Sequence, residues 1–220
     1  MKLSYWLACL LGVSINVVWA QGRAELHYFV EAGASGFLPV GEFDGKSKIS
    51  VDTAGDSLVT PETVTIPKLT SFGQASTRLG VYIDGSSLSL GFGYGNPITS
   101  KQGEWIALDF EYQYHFLRPN DWRPSIGANY AFTRLDVNDV SSVVSNGSTS
   151  KGHALFSGAG PGLDAGIGWY GLPHFSVQAN LRSRFLFFSH ITTDANDYSQ
   201  LDESLFVWLN ELALSAQFIF

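Results

Sequence analysis

Apolar and polar side chains alternate along most of this chain with a period of two residues. Between Trp105 and Phe116 every even position is apolar or aromatic, while the odd positions include Asp109, Glu111 and Gln113. Successive side chains of a β-strand point to opposite faces, so this period predicts two-faced strands. The pattern predicts eight of them, at Glu25–Phe37, Phe72–Ile83, Ser87–Gly95, Trp105–Phe116, Arg123–Thr133, Gly160–Trp169, Phe175–Phe188 and Val207–Phe220.

The segments between the predicted strands alternate in length. Three are short turns, at Asp84–Ser86, Leu117–Trp122 and Tyr170–His174. The intervening ones are mostly longer, at Leu38–Ser71, Asn96–Glu104, Arg134–Ser157 and about Ser189–Phe206. Short periplasmic turns and larger external loops are typical of up-and-down outer-membrane barrels. We therefore expect an all-β fold, a closed antiparallel eight-stranded transmembrane β-barrel.

A soluble lipocalin-like barrel or β-sandwich would also alternate, and alternation alone does not separate inside from outside. Composition favours the membrane barrel. Only 15% of the residues are charged, whereas 14% are aromatic and 23 are glycine. The apolar faces are aromatic, the opposite faces carry glycines and ionisable groups, and the last predicted strand runs to Phe220.

The N-terminus has the features of a secretory signal peptide. Lys2 precedes an apolar stretch from about Tyr5 to Val18, and Val18-Trp19-Ala20 is a tolerable cleavage site. A membrane-anchoring helix is the alternative, but the run is short for a span of roughly 20 residues. We expect residues 1–20 to be a cleaved signal and residues 21–220 to be the barrel domain. The signal would carry away Cys9, the only cysteine. This predicts export to the outer membrane of a Gram-negative bacterium.

The even or odd position of a residue along its strand, which we call its parity, predicts whether its side chain lines the lumen or faces lipid. A salt-bridged plug is the expected state of the polar part, because an unpaired buried charge is costly. The predicted polar lumen comprises His27, Glu31, Arg78, Asp109, Glu111, His115, Asp164, Arg182, Arg184 and Glu211. The predicted apolar mouth comprises Phe37, Phe72, Trp105, Leu186, Phe188, Val207 and Leu209. The mouth is either a vestibule for a hydrophobic solute or a place where bulges break the parity.

Aromatic residues are expected at the two membrane interfaces. The predicted periplasmic girdle is Tyr112, Tyr114, Phe116, Trp169, Phe175, Phe218 and Phe220. The predicted outer girdle is Tyr94, Tyr130, Phe132, Phe185, Phe187 and Trp208. Outer-membrane lipid, including lipopolysaccharide, is therefore an expected partner. The net charge of −7 and the lack of a basic cluster argue against nucleic acid as a partner.

The segments Leu108–Phe116 and Trp122–Tyr130 resemble the outer-membrane protein W family. Gly162–Trp169 and its continuation into the next strand fit the same pattern. The resemblance implies an eight-stranded barrel that passes small hydrophobic molecules from its outer mouth, through an opening in its wall, into the membrane. It also implies that the barrel assembly machinery recognises the terminal aromatics, including Phe218 and Phe220.

Candidate chemistry elsewhere is sparse. His153, His174 and His190 lie near serines, but no motif has the spacing that activates a nucleophile, so no catalytic residue is predicted. No cluster has metal-ligand spacing, and no metal or cofactor is expected. A passive route for hydrophobic molecules is therefore the leading hypothesis. A structural or adhesive barrel acting through its external loops and a lipid A-modifying enzyme are the alternatives.

Overall fold

The computed structural model describes residues 26–43, 45–52, 62–97, 103–116, 121–143, 149–193 and 199–220. The predicted signal peptide, with Cys9, lies outside these residues. The described strands are β1 (Leu26–Gly41), β2 (Ser47–Asp52), β3 (Glu62–Thr65), β4 (Phe72–Ile83), β5 (Ser86–Pro97), β6 (Glu104–His115), β7 (Trp122–Val143), β8 (Thr149–Leu172), β9 (Phe175–Thr193) and β10 (Ser199–Ile219). Across the described ranges, no helix has the length and apolar character needed to cross a membrane.

Eight of these strands form a closed antiparallel barrel. Each of β1, β4, β5, β6, β7, β8, β9 and β10 pairs with the next one in this order. The first and last strands then close the ring, with pairs that run from Phe29↔Ile219 to Gly41↔Val207. Closure leaves no unpaired strand edge, as a strand-built membrane span requires. The predicted fold class is confirmed.

The outside of the barrel is apolar. Leu79, Leu163, Leu181, Leu212 and Leu214 are each 60 to 63% exposed. A soluble monomer rarely exposes contiguous apolar surface on this scale. The outward side chains therefore face lipid, which settles the question of inside and outside that alternation left open.

Four strands extend much farther than the sequence pattern predicts. The predicted loops Arg134–Ser157 and Ser189–Phe206 are largely strand, because β7, β8, β9 and β10 continue through them. Bulges interrupt the pairing between Val137 and Val140 and between Ser157 and Gly158. These bulges shift the period of two, so the apolar residues beyond them fall out of phase with the strand below. The loop predictions for these two segments were wrong for this reason.

The predicted loop Leu38–Ser71 also contains regular structure. It includes the hairpin β2–β3, in which β2 pairs with the start of β10 and β3 pairs with the end of β7. The strands β7, β8, β9, β10, β2 and β3 thereby close a second ring of six strands beyond the barrel. We call this six-stranded part the upper ring.

The two ends of the barrel differ. The short turns at Asp84–Gly85 and Pro173–His174 lie at one end, where Phe220 also hydrogen-bonds to Tyr28 through the backbone. Asp84 has a positive φ of 45° and Gly85 one of 81°, as a tight two-residue hairpin turn requires. In outer-membrane barrels the short-turn end faces the periplasm. We refer to it as the periplasmic end, and the upper ring lies at the opposite, external end.

Candidate functional site

The middle of the lumen holds a cluster of buried, oppositely charged side chains. Arg78, Arg182 and Arg184 are each at most 3% exposed, and carboxylates from four other strand positions surround them. Arg78 Nη2 and Arg184 Nη2 lie 3.0 Å and 2.9 Å from Asp109 Oδ2. A single carboxylate oxygen thus joins two guanidinium groups across the barrel.

The remaining contacts complete a closed network. Arg182 Nε lies 3.1 Å from Glu111 Oε2, and Arg182 Nη1 lies 3.4 Å from Glu211 Oε1. The other oxygen of Glu211 lies 3.2 Å from Arg184 Nη1, while Glu31 lies 3.8 Å from Arg78 Nε. We call Glu31, Arg78, Asp109, Glu111, Arg182, Arg184 and Glu211 the ion cluster. Pairing of this kind is what makes buried charge tolerable in a narrow barrel.

Strand register explains how these side chains meet. Arg78 pairs with Gly91, and Gly91 in turn pairs with Asp109. A Cβ at Gly91 would lie 2.5 Å from Asp109 Oδ1 and 3.1 Å from Arg78 Cγ. The glycine therefore leaves the space through which Arg78 reaches over β5 to its carboxylate.

The structure buries the predicted polar lumen residues with one exception. Glu31, Arg78, Asp109, Glu111, His115, Asp164, Arg182, Arg184 and Glu211 are at most 6% exposed. His27 is exposed at the periplasmic end, where the barrel opens. Asp164 lies outside the ion cluster and accepts a hydrogen bond of 3.0 Å from Gln113.

Several buried amides share the inward faces but were not among the predicted site residues. They are Gln113, Asn129, Gln178, Asn180 and Gln217. Their inward direction follows from parity, because they alternate with the lipid-facing residues of their strands. The inward direction of Tyr170 does not follow from the period of two, because a bulge between Trp169 and Leu172 turns the end of β8.

The predicted apolar mouth is a packed core. Phe37, Phe72, Trp105, Leu186, Phe188, Val207 and Leu209 all point inward, at 0 to 3% exposure. The ring centroid of Phe37 lies 5.3 Å from that of Phe72 and 5.4 Å from that of Trp105. The parity therefore holds at this level, but the described side chains leave no open vestibule.

The upper ring supplies the side chains that fill the mouth. Phe43 packs edge-on against Phe156 and Phe188, with centroids 5.2 Å from each. Val64 and Ile66, from the hairpin side, are fully buried in the same cluster. We call this continuous apolar interior, from Phe37 up to Ile66, the upper core.

Below the ion cluster, a cavity of about 370 Å³ opens at the periplasmic end. Its lining includes His27, Tyr82, His115, Arg123 and Tyr170. The hydroxyl groups of Tyr82 and Tyr170 lie 3.0 Å apart. We call this space the periplasmic cavity.

Hydrogen bonds connect the periplasmic cavity to the ion cluster. The Tyr82 hydroxyl donates to Gln217 Oε1 at 2.7 Å, and Gln217 Nε2 donates to Glu31 Oε2 at 2.6 Å. Gln178 Nε2 donates to the Tyr170 hydroxyl at 2.8 Å. The lower lumen is therefore a bonded polar network continuous with the ion cluster.

The predicted girdle residues lie on the outside of the barrel. Phe218 and Phe220 are 51% and 63% exposed and pack edge-on, with centroids 5.0 Å apart. Trp169 is half-buried and lies against Gly171. Phe175 and Phe185 are also half-buried, and the other predicted girdle aromatics are exposed.

The histidines considered for catalysis lie apart from one another. Ser189 Oγ and His190 Nδ1 are 2.8 Å apart, next to a bulge in β9. His153 contacts Asp136, and His174 Nδ1 lies 3.0 Å from the carbonyl oxygen of Ile219. In the described part of the chain, no group of three or more His, Cys, Asp and Glu side chains could hold a metal ion.

Similar solved structures are outer-membrane barrels. Neisserial surface protein A shares 14% identity, with 87% of this chain and 96% of that chain covered at a TM-score of 0.53. OprG from Pseudomonas aeruginosa shares 12%, with 91% and 98% covered at 0.48. AlkL shares 11%, with 90% and 92% covered at 0.46.

No family model matches this sequence, and no curated protein matches it. The resemblance to the outer-membrane protein W family therefore stays a prediction. At these identities the structural likeness shows the fold alone. The chain has the fold of an eight-stranded outer-membrane β-barrel.

Proposed function

We propose that this protein is an outer-membrane barrel of a Gram-negative bacterium, closed along its axis, that displays the upper ring at the cell surface as a structural or adhesive head. The observation that carries the proposal is the upper core. It continues from Trp105 in the mouth to Val64 and Ile66 in the hairpin, all at most 1% exposed. It lies above the ion cluster, so two packed layers occupy the lumen in series.

Strand length supports the display of a head. A transmembrane β-strand needs about 9–11 residues. β7 has 22 residues and β8 has 24, so about half of each projects beyond the lipid. Neisserial surface protein A, which shares the fold, is a surface protein by name.

Cysteine labelling on intact cells tests the display. Lys151, exposed in the upper ring, and Asp84, exposed in a periplasmic turn, are each replaced by cysteine. The predicted loss of Cys9 with the signal would leave the introduced thiol as the only one. We expect a membrane-impermeant maleimide to label Lys151→Cys on intact cells and Asp84→Cys only after permeabilisation. The reverse result would refute the proposed orientation.

A passive route for small hydrophobic molecules is the second candidate. The apolar lining of the external mouth favours it, and it requires the hairpin β2–β3 to move aside. Few pairs among the described residues hold the hairpin: β3 pairs with β7 through Thr63↔Val143 and Val64↔Ser142, and β2 pairs with β10 at three positions. A route through the wall would run from this mouth into the membrane.

A disulfide between the hairpin and β7 distinguishes the two candidates. Thr63 and Val143 are directly opposite each other, so Thr63→Cys combined with Val143→Cys places two thiols within bridging distance. Transfer of octane into proteoliposomes is then measured with and without reductant. The surface-head proposal predicts no protein-dependent transfer in either state. Transfer that stops on oxidation and returns on reduction would support the route and contradict the head.

A further inference from the structure

The periplasmic cavity contains a cationic side chain that has no carboxylate within ion-pair distance among the described residues. Arg123, at the start of β7, lines the cavity with its guanidinium carbon 4.6 Å from the centre of the Tyr170 ring. Its Nε is buried and has no hydrogen-bond partner. Among the described residues, Arg123 forms no ion pair, whereas Arg78, Arg182 and Arg184 each contact two or more carboxylates.

The local fold fixes Arg123 in this position. Tyr170 turns inward at the bulge that ends β8, and its backbone N–H donates to the carbonyl of Asp121 at 2.8 Å. This bond holds the ring beside the start of β7. A guanidinium stacked on a ring keeps its planar edge of N–H donors available, and that edge matches a carboxylate in a bidentate arrangement.

Most of the remaining lining is aromatic or apolar, and the ionisable residues His27 and Asp84 also line the cavity. The Tyr82 ring lies 5.2 Å from His115 and 6.5 Å from Tyr170, and His115 lies 6.3 Å from Tyr170, between centroids. Leu172, Pro173 and Ile219 complete the wall. A mainly aromatic and apolar lining with a few polar groups is the usual composition of a small-molecule site.

We propose that the periplasmic cavity binds a small apolar or aromatic ligand that carries one carboxylate, with Arg123 as its anchor. A buried donor without a partner is costly, and a ligand oxygen at Arg123 Nε relieves that cost. A single arginine matches a single negative charge. Asp84, exposed at the rim, disfavours a second one and hence a phosphate dianion. The site faces the periplasm and does not depend on what the upper ring does.

Titration of the full chain in a neutral detergent, followed by NMR of the arginine Nε–H signals, tests the site. The probes are benzoate, the isosteric neutral benzamide, and inorganic phosphate. The Arg123 signal is assigned by its loss in Arg123→Lys. We expect saturable shifts with benzoate and at least tenfold weaker binding of benzamide and phosphate.

Two variants locate the interaction. Arg123→Gln should weaken benzoate binding at least tenfold, whereas Arg134→Gln should not change it, because Arg134 is exposed on the outside of β7. Equal binding of benzoate and benzamide, or tighter binding of phosphate, would overturn the assignment. The same holds if benzoate causes no saturable shift. If Arg123→Gln fails to fold, the comparison of probes on the unaltered protein decides the question.

Discussion

Arg182 joins two carboxylates of the ion cluster. It contacts Glu111 and Glu211, which come from different strands, and it is 2% exposed. Arg182→Leu removes one partner from each carboxylate and leaves the acids buried. Breaking a buried ion pair in this way costs about 3–5 kcal/mol. We expect the free energy of unfolding to fall by that amount, measured by urea titration in lipid vesicles.

Two further variants of this chain help to interpret the effect of Arg182→Leu. Arg134→Leu removes an exposed cation from the outside of the barrel and should change stability by less than about 1 kcal/mol. Adding Glu211→Leu to Arg182→Leu reduces the excess of negative charge that the loss of Arg182 leaves in the ion cluster, and it should recover part of the loss. Equal stability of Arg182→Leu and the unaltered protein would show that the cluster does not stabilise the barrel.

Gly91 is a second residue whose role depends on its neighbours. A methyl group there would overlap Asp109 and crowd Arg78, so we expect Gly91→Ala to destabilise the barrel by about 1–3 kcal/mol. Gly36→Ala is the matched control, because the nearest atom to its added Cβ would be the carbonyl oxygen of Phe72 at 3.8 Å. Urea unfolding of both variants makes the comparison. A loss as large for Gly36→Ala would show that glycine in a strand, and not the Arg78–Asp109 contact, is responsible.

Parity alone predicts the inward direction of most residues in the lumen. Asp109 and Glu111 follow from the clean alternation of β6, and the structure buries both. Specific partners do not follow from it. The contact between Arg78 and Asp109 crosses an intervening strand at a glycine, and that geometry depends on the register of three strands. Tyr170 required knowledge of a bulge that no period reveals.

At the scale of elements, the hairpin β2–β3 completes the upper ring. Val64 points into the upper core at 0% exposure, and its neighbour Thr65 points outward and is exposed. Val64→Asp would place a carboxylate among aromatic rings without a partner, so we expect the hairpin to detach from the ring. Limited proteolysis should then cut the chain near the hairpin while the membrane barrel stays folded.

Thr65→Asp is the control for this effect, because it adds the same carboxylate one residue away on the opposite face. It should leave the proteolysis pattern unchanged. Cleavage at equal rates in the two variants would mean that the upper core does not hold the hairpin. Cleavage throughout the barrel strands would mean that the upper ring and the barrel unfold as one unit.

The elements of the upper ring were the least predictable from the sequence. β3 has four residues, which is too short for a period of two to stand out. In β7 and β9 the bulges near Val137 and Phe188 change the phase of the alternation. The surrounding Ser, Thr, Asn and Gly residues are also those of loops. The eight barrel strands are long and free of bulges over most of their length, so the sequence pattern predicted all eight of them.

At the scale of the whole molecule, the lumen has two closures in series, the ion cluster and the upper core. A barrel whose lumen is closed at two levels should conduct no ions, and weakening one closure should leave the other intact. We therefore expect no conductance steps in planar lipid bilayers from the unaltered protein, from Arg184→Ala or from Val64→Asp.

The double variant that combines Arg184→Ala with Val64→Asp should conduct, because it opens a gap beside Asp109 and Glu211 and also loosens the upper ring. Arg184→Ala combined with Thr65→Asp, with an intact upper core, should stay silent. Conductance steps from the unaltered protein would contradict the closed barrel directly, and a silent double variant would show that at least one of the two closures persists without Arg184 and Val64.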